Sequence, residues 1–177
     1  MQQQPEITVA HASEITSSLR ASILALCKRA YGQDIGQLFT TFVEPTHVHA
    51  FLDGLLVSHA MWVTRWLQPR DIPPLRAAYV EMVATEPSRQ RRGLATAVMG
   101  RLGSAISEYD VGALSPAGSG VYIRLGWVFW RGPLFIRLAD QWIPTPDERI
   151  MIQRLPKTPR LDLSQPLSAE WRQGELW

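Results

Sequence analysis

The sequence predicts an α+β protein with a mixed central sheet and flanking helices, and three observations carry that reading. Leu94, Val98, Leu102 and Ile106 recur every four residues, which makes one apolar face of a helix over 93–107. The stretch AAYVEMVAT, residues 77–85, reads as the strand on which that helix packs. Asp53-Gly54 stands between apolar runs at 48–52 and 55–66, and this dipeptide supplies the positive φ angles that a tight hairpin requires. Helical and hairpin patterns in one chain make the class α+β.

The chain has 177 residues, 46% of them hydrophobic and 19% charged, so one domain spanning 1–177 with a sizeable core is expected. A net charge of +2 with that apolar content excludes a disordered chain. Cys27 has no partner cysteine, which rules out an internal disulfide and a cysteine-based zinc site and points to a reducing compartment. The start, MQQQPEITVA, lacks a cationic head and an apolar core, and no run approaches the roughly 18 apolar residues of a membrane span. A cytoplasmic protein with no membrane partner is expected. The isoelectric point is near 9.0. Even so, 18 Lys and Arg face 16 Asp and Glu, with one short basic run at 89–92, so no nucleic-acid partner is expected.

The other elements follow in order. Residues 7–10 read as a strand. Ile15, Leu19, Ile23, Leu26 and Ala30 form a helical face that begins at a Ser13 cap, with Glu14 in the first turn, and ends near Tyr31 and Gly32. Residues 33–46 fit a short helix and a loop. After Pro69, Pro73 and Pro74 comes the strand at 77–85, then the helix, a short strand at 111–114 and a short helix near Tyr122. Strands around Val128, Phe135 and 150–155 complete the pattern. Residues 156–177 hold three prolines and no sustained period, so no regular element is expected there.

Between strand and helix lies Gln90-Arg91-Arg92-Gly93-Leu94-Ala95. Backbone N–H groups at a helix start are unpaired, the helix dipole favours an anion, and Gly93 permits close approach. Read alone, the string is either a phosphate cradle or a basic helix start. Glu81 interrupts an otherwise apolar strand, where an ionised carboxylate is costly without a partner. It is either a strand glutamate facing solvent or a base, and acyl transfer to an amine protonated at neutral pH needs a base.

The string Gln/Arg, two residues, Gly, one residue, Gly/Ala resembles the acetyl-coenzyme A pyrophosphate loop of the GNAT N-acetyltransferases. Together with AAYVEMVAT, GALS at 112–115, VYIRLGWVFWRGP at 121–133, TPDE at 145–148 and the closing WRQGELW, it makes the chain similar to the aminoglycoside 2′-N-acetyltransferases. The match runs over 77–148 and 171–177 and is loose over the first 75 residues. The resemblance implies the GNAT acyltransferase fold, with the pyrophosphate loop before the third main helix and acetyl-coenzyme A as cosubstrate. It implies that Val83, Ala84 and Thr85 pair with the pantetheine arm while Gln90, Arg91, Arg92, Gly93, Leu94 and Ala95 hold the pyrophosphate. Glu81 would be the general base working through ordered water, the Met82 N–H would polarise the thioester carbonyl, and Tyr122 would protonate the departing thiolate. Asp34, Ser115, Asp147, Glu148, Glu175 and the carboxylate of Trp177, with Glu81 and Met82, would hold a cationic aminosugar. The irregular segment 156–177 would dock on that acceptor site, and a homodimer is expected.

The alternative for Tyr122 is a packing residue on a short helix; read singly, Asp147 is equally a turn residue and Glu175 equally part of a solvated tail. Trp177 differs, because a terminal tryptophan has little reason to stand there unless it docks. The chain departs from the family at Phe39, where relatives carry a second acid, in a shorter loop over 115–122, and in having Glu175 for the usual aspartate. Of the histidines His11, His47, His49 and His59, the pair His47 and His49 fits one face of a strand. With no cysteine beside them they read as surface residues, and no metal is expected. Trp62 and Trp66 read as core or subunit-interface residues on one strand face. Two other functions compete with aminoglycoside acetylation: acetylation of another cationic small amine or peptide, and acyl-coenzyme A binding without turnover. Glu81 and Tyr122 argue against the second.

Overall fold

The computed structural model describes residues 4–177, so residues 1–3 of the expected domain lie outside the described residues. Contacts divide the chain into two compact units, the first running through Val63 and again over Val80–Ala105, the second made of Thr64–Tyr79 and Ile106–Trp177.

In the first unit, β1 (Glu6–His11) pairs antiparallel with β2 (Thr46–Leu52), and β2 pairs antiparallel with β3 (Leu55–Pro69). Asp53 and Gly54 turn that hairpin with φ of 51° and 73°, the geometry expected of Asp-Gly. Helix α1 covers Ser17–Tyr31 and starts four residues later than the sequence suggests. Ser13 belongs to a separate 3₁₀ turn, Ala12–Glu14, in which His11 and Glu14 cap each other. Thr16 takes over as the helix cap, its hydroxyl accepting from the Leu19 N–H at 3.2 Å. Gly32 closes α1 in a left-handed conformation, φ 71°, its N–H bonded to the Lys28 carbonyl. Ile23, Leu26 and Cys27 on the inner face of α1 pack with Phe39, Met61, Met82 and Ala84 in one apolar cluster. Burial pushes the Cys27 thiol up to about 12, so it stays protonated and inert. Phe39, at the end of the short helix α2 (Gly36–Phe39), is therefore a core residue. The unit is completed by residues 80–85 of β4 (Leu75–Thr85) and by α3 (Leu94–Ala105), which buries Leu94, Val98, Met99 and Leu102.

The histidines correct the sequence reading. His47, His49 and His59 are each at most 1% exposed, so they are interior residues. His47 and His49 do share one face of β2, but that face turns inward. The hairpin register then sets His59 directly opposite His49.

In the second unit, β5 (Val111–Leu114) runs parallel to residues 77–79 of β4 and antiparallel to β9 (Met151–Arg154), which also pairs β6 (Val128–Phe129). A hairpin of β7 (Leu134–Leu138) and β8 (Gln141–Pro144) lies beside β10 (Leu167–Glu170), which is parallel to β7 and antiparallel to residues 67–69 of β3. Strand pairing is thus mixed, and α4 (Gly120–Arg124) carries Tyr122. β10 corrects the expectation of an irregular tail. The proline that argued against a strand, Pro166, precedes it and gives its carbonyl to the Arg70 N–H, and four residues are too few to leave a period. Trp66 is 49% exposed in this unit, whereas Trp62 is buried in the first, so the two tryptophans differ in environment. Among the described residues no helix is long and apolar enough to cross a membrane.

The tail is tied down before β10 begins. The N–H groups of Arg131 and Gly132 both donate to the Leu163 carbonyl, at 2.8 and 2.9 Å, and the Trp130 indole donates to the Gln165 carbonyl at 2.7 Å. A Cβ on Gly132 would stand 2.0 Å from that same Gln165 oxygen, so only glycine permits this approach. Replacing Gly132 with alanine should cost about 2 kcal/mol or more, the upper range of overpacking, because the obstacle is backbone and cannot rotate away. Urea unfolding measures this, and an unchanged midpoint would mean that the segment is not held against Gly132.

Candidate active site

The loop after β4 begins with a 3₁₀ turn, Pro87–Arg89, anchored by an ion pair of 2.9 Å between Glu86 and Arg29 of α1. Gln90 folds back, its amide donating to the Thr85 carbonyl at 3.4 Å. Arg91 and Gly93 take φ of 59° and 82°, so the backbone coils into the start of α3. Leu94 is buried and pins the helix, while Arg91, Arg92 and Gly93 are exposed. The first-turn amides, among them Leu94 and Ala95, have no intrahelical acceptor. A Cβ on Gly93 would meet nothing within 4 Å, so the space above it is open. A cleft of about 380 Å³ lined by Arg29, Arg89, Glu86 and Val57 lies in the same unit. Open backbone donors, a positive helix end and arginines suit the diphosphate of a coenzyme A thioester. The residues present therefore fit that group.

Strand β4 has one irregular residue. Met82 sits at φ 53°, in the left-handed region, with regular strand on both sides. Its side chain is buried in the apolar cluster and its carbonyl accepts from His59 Nδ1 at 2.9 Å. Glu81, Val83 and Thr85 are half-buried, and Ala84 is buried. Ser58 donates to the Ala84 carbonyl at 3.1 Å and shares a hydrogen bond of 2.8 Å with the Thr85 hydroxyl, which holds the end of the strand.

The second unit gathers four of the other predicted residues. Asp147 and Glu148 occupy an exposed turn in which the Glu148 N–H donates to the Thr145 carbonyl. Partial burial raises the Glu148 carboxyl above its ordinary value, and the negative charges of Glu175 and Asp147 raise it further. Trp177 is 3% exposed, and its indole donates to the Thr145 hydroxyl at 2.8 Å. The closing residues therefore dock beside the turn that carries the acids. Arg65 clamps them from β3, donating to the Leu176 carbonyl at 2.8 Å and the Glu170 carbonyl at 2.6 Å. Tyr122 packs edge-on against Trp127, and burial pushes its hydroxyl up to about 12, so it holds its proton at neutral pH. Ser115 is exposed just beyond β5.

Asp34 stands apart from these, in the first unit. It is exposed, accepts from the Gly36 N–H at 2.9 Å and pairs with Lys28 at 3.5 Å. These two contacts hold its carboxyl below the ordinary value. Arg65 and Thr145 are the contributors that sequence reasoning missed. The signal for Arg65 was present, since an arginine inside LLVSHAMWVTRWL is as anomalous as a glutamate inside AAYVEMVAT.

Comparison with known proteins adds to this geometry. Residues 8–129 match the family model described as Acetyltransferase (GNAT) domain. Over 139 residues the chain is 34% identical to the aminoglycoside 2′-N-acetyltransferase of Mycolicibacterium fortuitum, which covers 73% of this chain and 71% of that protein. The fold is similar to that of the GNAT family N-acetyltransferase YhbS of Escherichia coli, solved in complex with CoA, with TM-score 0.64 and 14% identity over 95% of this chain and 91% of that one. Eis1 of Mycobacterium abscessus is similar with TM-score 0.58 and 21% identity over 69% of this chain, which spans 31% of that longer protein. A family match across 8–129 and a relative at 34% identity are enough to decide kinship. The chain belongs to the GNAT N-acetyltransferase family.

Proposed function

We propose that this chain transfers the acetyl group of acetyl-coenzyme A to the 2′-amino group of an aminoglycoside by direct attack of the amine on the thioester. The observation that carries the acceptor class is the acidic turn. Partial burial raises the Glu148 carboxyl, the negative charges of Glu175 and Asp147 raise it further, and a polycationic aminosugar would relieve that repulsion. The similarity to a protein named aminoglycoside 2′-N-acetyltransferase supports the same class.

Each residue then has a task. Glu81 takes the proton from the acceptor ammonium through water, freeing the lone pair that forms the new C–N bond. The Met82 N–H, turned by the left-handed backbone, donates to the thioester oxygen as charge grows on it. Tyr122 protonates the sulfur as the C–S bond breaks, which its retained proton permits. Val83, Ala84 and Thr85 pair with the pantetheine arm while residues 90–95 hold the pyrophosphate. Asp34 and Ser115 add acceptor contacts, and the Trp177 carboxylate adds a charge. A homodimer in the cytoplasm completes the reading. Exposed Trp66, Trp142 and Trp171 offer apolar surface for self-association, and sedimentation tests that.

A thiol-release assay decides the substrate. Aminoglycosides with a 2′-amine should release coenzyme A, and analogues with a hydroxyl at that carbon should not. Turnover with small diamines or peptides but no aminoglycoside would move the chain to another acceptor, and cofactor binding with no turnover on any amine would make it a binding module.

Glu81→Gln keeps shape and removes the proton acceptor, so kcat should fall about a hundredfold or more with coenzyme A affinity nearly constant. Wild-type rates at every pH from 6 to 9 would remove Glu81 from the role of base.

Extending the chain beyond Trp177 moves the terminal charge away. Because a buried charge-assisted contact contributes ~1.5–3 kcal/mol, the acceptor KM should rise roughly tenfold or more while coenzyme A affinity holds. An extended chain with an unaltered KM would show that the terminus takes no part in acceptor binding.

A further inference from the structure

The first unit holds a cluster that acetyl transfer does not use. His47, His49 and His59 are interior side chains, and one ring nitrogen from each lies within 4.8 Å of the other two. The rings of His47 and His49 stack with centroids 5.8 Å apart, and His59 tilts against both, at 5.3 and 5.5 Å. Three imidazoles are a poor choice for filling an apolar interior, because each brings a donor and an acceptor that must be satisfied.

Their hydrogen bonds show which nitrogens are available. A carbonyl cannot donate, so His59 Nδ1 carries the proton given to the Met82 oxygen, and His59 Nε2 is a bare lone pair. That lone pair faces His47 Nδ1 at 3.0 Å. Two ligand nitrogens at ~2.0–2.1 Å from a tetrahedral zinc stand about 3.3 Å apart, so this separation is near the edge of a coordination tetrahedron. The third ring is the anomaly, since neither His49 nitrogen has a hydrogen-bond partner although both are buried. A nitrogen left without a partner in the interior is what a missing ligand leaves behind.

We propose that His47 Nδ1, His59 Nε2 and one nitrogen of His49 form a site for a single divalent transition-metal ion of the zinc class. Binding requires His47 to carry its proton on Nε2, a change of neutral tautomer that costs no charge. The ligand atoms lie within 4.8 Å of one another, so the contraction needed is at most about 1.5 Å, which rotation of the rings about their χ torsions would supply. Burial holds His47 and His49 down at about 4, so both are neutral and competent as ligands at pH 7. The bond from His59 to the Met82 carbonyl is the outer-shell contact that fixes the ring and tautomer of a ligating histidine. A cleft of about 370 Å³, lined by His47, Phe39, Phe42 and Glu44 among others, gives the ion an entry path and leaves room for water as the fourth ligand. Three imidazoles and no thiolate suit zinc, cobalt, nickel or copper rather than magnesium or calcium. Through His59 the ion would also steady the Met82 backbone, which makes His59 a positioning residue.

The test uses the full chain without an affinity tag, stripped with chelator and dialysed. Titration with Co²⁺ should give the visible absorption of a tetrahedral, nitrogen-ligated ion, saturating at one equivalent. Zn²⁺ should displace it and raise Tm. His49→Gln and His47→Gln should each weaken Co²⁺ binding at least tenfold, whereas His11→Ala, at an exposed histidine outside the cluster, should leave it unchanged. Because the wild-type titration decides by itself, a variant that fails to fold does not spoil the test. Folded wild-type protein that binds neither ion would overturn the proposal and leave a hydrogen-bond ladder from His47 through His59 to Met82. Binding that persists in both folded glutamine variants would overturn it equally, by placing the ion elsewhere.

Discussion

Much in this chain depends on one backbone conformation, the left-handed turn of Met82 inside β4. A non-glycine residue held there costs about 1–3 kcal/mol, and such strain persists only where the surroundings over-determine it. Here they do so from two sides. The methionine side chain is locked among Ile23, Leu26, Cys27, Phe39 and Met61, and its carbonyl is held by His59. A regular strand residue would point its N–H and C=O along the ladder like its neighbours. The turn breaks that regularity at the residue whose N–H the proposed mechanism directs at the thioester. Loosening the core of the first unit would therefore also release Met82.

The second unit fixes residues 175–177 against its strands. It does so with a charge. Arg65 is buried, and its guanidinium is shared between the carbonyls of Leu176 and Glu170 and the Glu170 carboxylate. Burial and the neighbouring Arg172 lower its pKa, while Glu170 and Tyr79 raise it again. Rings and carbonyls around a buried cation matter because removing one partner strands the charge, at a cost of about 3–5 kcal/mol. A segment held in this way is specific in position as well as stable. Trp177 then reaches Thr145, and Leu176 and Glu175 are set by the same contacts.

What could be read in the sequence was local. Asp53-Gly54 named its own turn, the four-residue spacing from Leu94 to Ile106 named α3, and Gln90 to Ala95 marked a loop between a strand and a helix. Glu81 and the closing WRQGELW stood out because a charge in an apolar strand and a terminal tryptophan both need a reason. What escaped was relational. His59 meets His47 and His49 only after the hairpin register is set, and nothing in the identity of a single histidine says that its face turns inward. The φ of Met82 is not encoded by methionine, which has no preference for the left-handed region. β10 escaped because four residues after Pro166 leave no period, and its stability comes from ladders to β3 and β7 that lie far away in sequence. The start of α1 was misplaced because Ser13 and Thr16 are both good caps, and only the turn made by His11 and Glu14 chooses between them.

The acidic turn completes the physical argument because of what it lacks. The ion pairs of the described residues include none to the side chains of Asp147, Glu148 or Glu175, and Arg172 donates through Nε to the Glu175 carbonyl. Other acids do have cationic partners, as Glu86 with Arg29 and Glu108 with Lys157. Partial burial raises the Glu148 carboxyl, and the like charges of Glu175 and Asp147 add to that rise. A multiply charged cation arriving there would replace repulsion with charge-assisted hydrogen bonds, one for each new contact. A ligand with a single positive charge would relieve a fraction of this. Under the proposed function, spaced ammonium groups on a rigid ring system would relieve most of it without the entropy cost of ordering a flexible polyamine.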